Sequence, residues 1–207
     1  DQYSRPRQGG IIAIKLKEDD ELVAIVITKP GDEVVLATSK GMAIRFSEAD
    51  ARPMGRNTSG VKGIALDADD QLVGMVVADS QTTLLTTCQN GYAKRTSFGL
   101  SSLAMGEGEE SEEENTSSTN RYRTQRRGGK GLRDIKTTAR NGLVIGIAPV
   151  DDDDEVIMMT ARGKIQRMAA QEISQIGRNT QGVRIMRLDK GDMLAAIVRV
   201  PQEENNA

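Results

Sequence analysis

The sequence predicts an all-β, propeller-like repeat protein of about three four-stranded blades. Three observations lead there. The chain repeats with a period near 50 residues. Each repeat holds four short runs rich in Val, Ile and Thr, separated by Asp, Gly, Asn and Lys. Nothing long has helical period.

The period shows first in a glycine-led heptad. "GIIAIKL" begins at Gly10, "GVKGIAL" at Gly60, "GLRDIKT" at Gly131 and "GVRIMRL" at Gly182. The long second step, from Gly60 to Gly131, holds an insert at 101–120. In the first repeat the β-type runs are 11–16, 22–28, 33–38 and 42–46. The second run recurs as "QLVGMVV" from Gln71, "GLVIGIA" from Gly142 and "MLAAIVR" from Met193. Hairpin turns "SKG", "QNG" and "ARG" end at Gly41, Gly91 and Gly163, where glycine accepts positive φ. "EADARPM" and "AAQEISQI" are each long enough for one helical turn. A joint is nearly duplicated, "GRNTSGV" at 55–61 and "GRNTQGV" at 177–183. The repeats therefore run over about 5–54, 55–100 and 121–176, with a half repeat at 177–200 and a tail at 201–207. The half repeat suggests that each blade borrows strands from the next repeat. Three blades make a partial ring or a fragment of a larger one.

Composition narrows the chemistry. The 207 residues include no His, no Trp and one Cys. His-dependent nucleophilic triads and ordinary zinc sites are excluded. Aromatics at 2% argue against a platform that stacks single-stranded bases. Cys88, in "LLTTCQ", reads as a small buried strand residue. No apolar run reaches the roughly 20 residues of a membrane span. "DDDDE" at 151–155 lacks the alternation and central Gly of an EF-hand and reads as an exposed turn. Net charge is −2, but six Glu lie in the cation-free insert, and the remainder has 24 acidic against 28 basic side chains. The insert is expected to be an acidic, disordered segment, either a tether that competes with phosphate for the cations following it or only a solubilising loop.

Those cations form the sharpest motif, "QRRGGKG" at 125–131. Gly128, Gly129 and Gly131 let backbone approach an anion closely. Arg126 and Arg127 offer planar forks and Lys130 a point charge. Gln125 opens the motif. It is no Walker A loop, because Thr124 and Gly131 stand where that pattern needs Gly and Ser or Thr. A solvated basic turn between blades is the other reading. A second set of cations repeats with the blades. Arg45, Arg95 and Arg167 each follow a hairpin glycine by four residues, with Lys94 beside the second; Arg56 and Arg178 share a loop position. Such a series suits a bent duplex. Strand-edge charge that blocks aggregation would look similar.

"QRRGGKG", the "GRNT" joints, "NGYAKRT" at 90–96 and "ARNGLVIG" at 139–146 together resemble the C-terminal DNA-wrapping domain of DNA gyrase A, from a type IIA topoisomerase. The resemblance covers nearly the whole chain outside 101–120. It implies a β-pinwheel, a ring whose blades exchange strands, wrapping double-stranded DNA on a basic rim and so supporting ATP-dependent negative supercoiling. The DNA-binding residues it implies are Gln125 to Gly131 with Arg45, Arg56, Lys94, Arg95, Arg167 and Arg178. The chain would be non-catalytic by itself, part of an ATP-hydrolysing enzyme. No cofactor is expected in it; ATP and Mg2+ would act elsewhere. Gyrase B and a second copy of gyrase A would be partners through other parts of the protein, in the bacterial cytoplasm at the nucleoid, with no membrane. Tyr3, Tyr92 and Tyr122 sit in hairpins and joints, unlike a cleavage tyrosine. Two features depart from the family, which usually has six blades and carries the box in the first. The C-terminal domain of topoisomerase IV, which lacks an intact box, and a propeller-like protein-interaction scaffold are the alternatives.

Overall fold

The structure, a computed structural model, describes residues 8–99 and 121–202. The acidic insert, Tyr3 and most of the tail lie outside them. Eleven strands are described, and the only helical elements among these residues are single 3-10 turns at Glu48–Asp50 and Ala170–Glu172. Both fall in the segments read as one-turn helices.

Three tight hairpins form the blade centres: β1 (Glu33–Thr38) with β2 (Met42–Ser47), β4 (Thr83–Cys88) with β5 (Tyr92–Ser97), and β8 (Glu155–Thr160) with β9 (Ile165–Ala169). Gly41, Gly91 and Gly163 close them with φ of 82°, 76° and 85°. A long strand then pairs antiparallel along each first hairpin strand: β3 (Leu72–Ala78) on β1, β7 (Val144–Val150) on β4, and β11 (Leu194–Val200) on β8. A two-residue strand completes the far edge of two blades, β6 (Leu132–Arg133) on β2 and β10 (Val183–Arg184) on β5.

Repeats and blades are thus out of phase. Each hairpin takes its long strand from the following repeat, and the first two take their short strand from the repeat after that. The borrowing is deeper than the half repeat suggested. It also explains why runs 11–16 and 22–28, expected as strands, have no ladder. A long strand pairs on a hairpin one repeat earlier, and none precedes them among the described residues. Ile25 and Ile27 consequently stand 77% and 92% exposed.

The core lies between stacked sheets. Residues of one strand alternate between faces, and here both faces are covered. Leu84 packs with Val35, Ala37, Phe98 and Tyr122 between blades 1 and 2. Its neighbour Leu85 packs with Val156, Met158, Ile173 and Leu194 between blades 2 and 3. Double coverage buries β1 and β4 along their whole length and not on alternate residues. Cys88 is fully buried, and burial pushes its thiol up to about 12.

Candidate nucleic-acid interface

The chain between β5 and β6 crosses the outer edge of β2, and the box lies on this crossing. Thr124 bridges Arg45 in parallel, and the Gln125 N–H donates to the Arg45 carbonyl at 2.7 Å. Further on, the Gly128 N–H donates to the Gly63 carbonyl at 2.7 Å, and the Gly129 carbonyl accepts from the Ala65 N–H at 2.8 Å. The box is therefore threaded between blade 1 and the heptad at 60–66.

This geometry separates the box residues by role. The Gly128 amide is engaged with protein and is not free for an anion. Gly128 takes φ 84°, and Gly131, at φ 78°, lies so close to β2 that a Cβ would meet the Ala43 carbonyl oxygen at 2.3 Å. Arg127 folds inward, donating from Nε to the Asp50 carbonyl at 3.1 Å and from Nη1 to the Lys62 carbonyl. Gln125 is half-buried. Lys130 is exposed, with a 3.2 Å contact to an equally exposed Asp67. Arg126 is exposed and has no partner among the described residues. Arg126 and Lys130 are thus the cations this loop offers outward.

The serial cations lie elsewhere than expected. Arg45 is 3% exposed; it pairs with buried Glu33 at 2.6 Å and donates to the Phe98 and Tyr122 carbonyls. Arg95 is also buried, bonded to the Ile173 carbonyl and to Asp152 at 2.5 Å. Lys94 is fully buried against Asp134 at 2.7 Å. These three do not line a solvent-facing rim. Each rivets a hairpin to the chain that crosses it. A strand position recurring in every blade can mark a recurring internal bond as readily as a surface, and the sequence does not distinguish the two. Arg167 does face outward, paired with Glu155, on the blade whose far edge carries no short strand among the described residues. Arg56 and Arg178 are half-buried; Arg56 donates to the Ile12 carbonyl at 3.1 Å. That bond corresponds, one repeat earlier, to the one from Arg127 to Lys62.

Sequence reasoning passed over the anchor of this region. Asp134 accepts from Lys94, from the Tyr122 hydroxyl at 2.5 Å and from Thr86 at 2.7 Å, while its carbonyl accepts the Asn179 N–H at 2.7 Å. Tyr122 precedes the box and Asp134 follows it, so their bond closes the loop at its base. Burial pulls the Lys94 ammonium below its ordinary range, opposed by Asp134, and burial holds the Tyr122 hydroxyl well above its own. A signal did exist. Asp134 stands where the other heptads have Ala13, Gly63 and Ile185, and Lys94 stands where the first hairpin has Ile44.

"DDDDE" forms a turn held by its own carboxylates. Asp154 is buried, bonds the Asp151 N–H and pairs with Arg199. No cluster that could hold a metal occurs among the described residues, and no described helix is long and apolar enough to cross a membrane.

A family model described as DNA gyrase C-terminal domain, beta-propeller, matches residues 1–29, 32–79, 117–151 and 154–201. The chain belongs to this family. Among curated relatives, the DNA gyrase A subunit of Klebsiella oxytoca is 39% identical over 202 residues, covering 98% of this chain and 21% of that protein. The DNA gyrase A subunit of Mycobacterium tuberculosis is 39% identical over 206 residues, covering 99% of this chain and 22% of that protein. The chain thus spans about a fifth of the length of these relatives. A solved gyrase A C-terminal domain superposes with TM-score 0.75 at 26% identity, over 93% of this chain and 58% of that one. The C-terminal domain of a DNA topoisomerase IV superposes with TM-score 0.80 at 20% identity, over 96% and 56%, a likeness of fold alone.

Proposed function

We propose that this chain binds and wraps duplex DNA without sequence preference, as the C-terminal domain of gyrase A. Wrapping would support ATP-dependent negative supercoiling by the rest of the enzyme, with gyrase B and a second copy of gyrase A as partners, in the cytoplasm at the nucleoid. The carrying observation is the box crossing, which presents Arg126 and Lys130 outward beside bare glycine backbone. Phosphate contacts of this kind read charge and shape, not bases. A bend is repaid when each contact releases condensed counterions.

The experiment is a salt series of duplex affinity for the chain. The log of affinity should fall with the log of salt by roughly 0.9 per phosphate contact. Affinity indifferent to salt would favour a protein-interaction scaffold. Single-molecule bending refines the test: Arg126→Ala with Lys130→Ala should reduce bending more than binding.

A further inference from the structure

We infer that blade 2 carries a phosphate-binding pocket formed by Tyr92, Arg140, Arg184 and Arg187, which holds one backbone phosphodiester of duplex DNA. The pocket rests on the DNA-wrapping reading and adds a DNA contact away from the box.

The pocket lies at the hairpin-turn end of blade 2 and has a volume of about 430 Å³. The Tyr92 ring is buried at its floor. Arg140 donates from Nε to the Tyr92 hydroxyl at 3.1 Å, and Arg184 from Nη2 to the same oxygen at 2.9 Å. Both guanidinium carbons stand 5.3 Å from the ring centroid. Arg187 lines the same space. All three arginines are exposed, and none pairs with a carboxylate among the described residues. Asp192 is the one acid in the lining, and its Oδ1 accepts the Arg162 and Met193 amides.

Two cations held on one oxygen repel each other, and a guanidinium uses one of its five N–H groups in each bond. The donors that remain match the planar, bidentate recognition of phosphate. The arrangement is fixed in advance. The turn carrying Arg140 is held by the Asn90 amide, which donates to the Ala139 and Arg140 carbonyls, and by the Thr138 hydroxyl, which accepts the Arg140 N–H. Arg184 is fixed by its ladder pairing with Tyr92. Blade 1 has no such pocket despite the same fold. Arg133 occupies the place of Arg184, but Met42 replaces Tyr92 and the facing turn, 67–70, holds three Asp. The two guanidiniums also hold the Tyr92 hydroxyl below the usual tyrosine range, through hydrogen bonds first.

Tyrosine labelled at the ring carbon bearing oxygen gives one signal for each of the three tyrosines, and Tyr92→Phe assigns the relevant one. Titration with inorganic phosphate, and separately with a short duplex of mixed sequence, should shift the Tyr92 signal saturably. Each should also raise the pH at which Tyr92 ionises, because a bound anion offsets the two guanidiniums. Arg140→Gln with Arg184→Gln should abolish both shifts and lower the salt slope of duplex binding by about one, since one phosphate fewer is neutralised. If the double variant does not fold, Arg187→Gln, whose side chain bonds nothing described, should weaken both shifts. Duplex binding that leaves the Tyr92 signal unmoved overturns the pocket while leaving DNA wrapping intact. A phosphate response with no duplex binding overturns both the assignment to DNA and the wrapping reading.

Discussion

The box crossing and the second crossing, 175–182, share one backbone and differ in what they carry. In each, a residue bridges the hairpin arginine in parallel, Thr124 to Arg45 and Gln175 to Arg95. In each, the next amide donates to that arginine's carbonyl, Gln125 at 2.7 Å and Ile176 at 2.8 Å. The Gly128 bond to Gly63 matches the Asn179 bond to Asp134, and both donors have positive φ, 84° and 60°. Where the box places Gly128, Gly129 and Lys130, the second crossing places Asn179, Thr180 and Gln181. Glycines are therefore not needed to build the crossing, because Asn tolerates the same left-handed backbone. What the glycine pair alone provides is bare backbone between two outward cations.

The buried rivets offer the largest effects. Asp134→Ala would strip buried Lys94 of its counter-ion and remove the acceptor of the Tyr122 hydroxyl at the base of the box loop, with an expected loss of about 3–5 kcal/mol in urea unfolding. Glu33→Ala, which strands Arg45 beneath the box crossing, belongs to the same range. Asp152→Ala beneath the second crossing should cost under about 1 kcal/mol, because that carboxylate is mostly exposed. Equal losses for Glu33→Ala and Asp152→Ala would erase the asymmetry between the two crossings.

Smaller effects come from the closing glycines. Gly131→Ala and Gly182→Ala each force a side chain into positive φ, about 1–3 kcal/mol by strain alone. Gly131 should lose more, since its Cβ would meet a carbonyl oxygen at 2.3 Å against 2.7 Å at Gly182. The reverse order would mean that the two crossings relax differently.

The smallest stability effect belongs to a transplant. Gly128→Asn with Gly129→Thr copies the second crossing into the box. The added side chains meet no atom closer than 3.4 Å at their Cβ positions, so the urea midpoint should change little. DNA bending should nonetheless weaken. Unchanged bending would assign the box's action to its cations alone.

Much of the fold was legible because its rules are local. A turn glycine at Gly41, Gly91 or Gly163 and a β-branched run on either side specify a hairpin without knowledge of anything distant. The box was legible as a motif for the same reason. Its division into outward Arg126 and Lys130 and inward Arg127 was not, since the carbonyls that capture Arg127 belong to Asp50 and Lys62.

The period, the hairpins, the buried Cys88 and the family all follow from the order of residues alone. Which cations meet solvent does not. Arg45 and Arg95 look like Arg167 in the sequence, yet the first two are covered by chain from a later repeat and the third is not. The same long-range exchange brings Lys94 to Asp134, 40 residues on, and Tyr92 to Arg184, 92 residues on. Periodicity records what a residue does within its own repeat. Burial is set by whichever repeat packs across it, and in strand-exchanged blades that is a distant one.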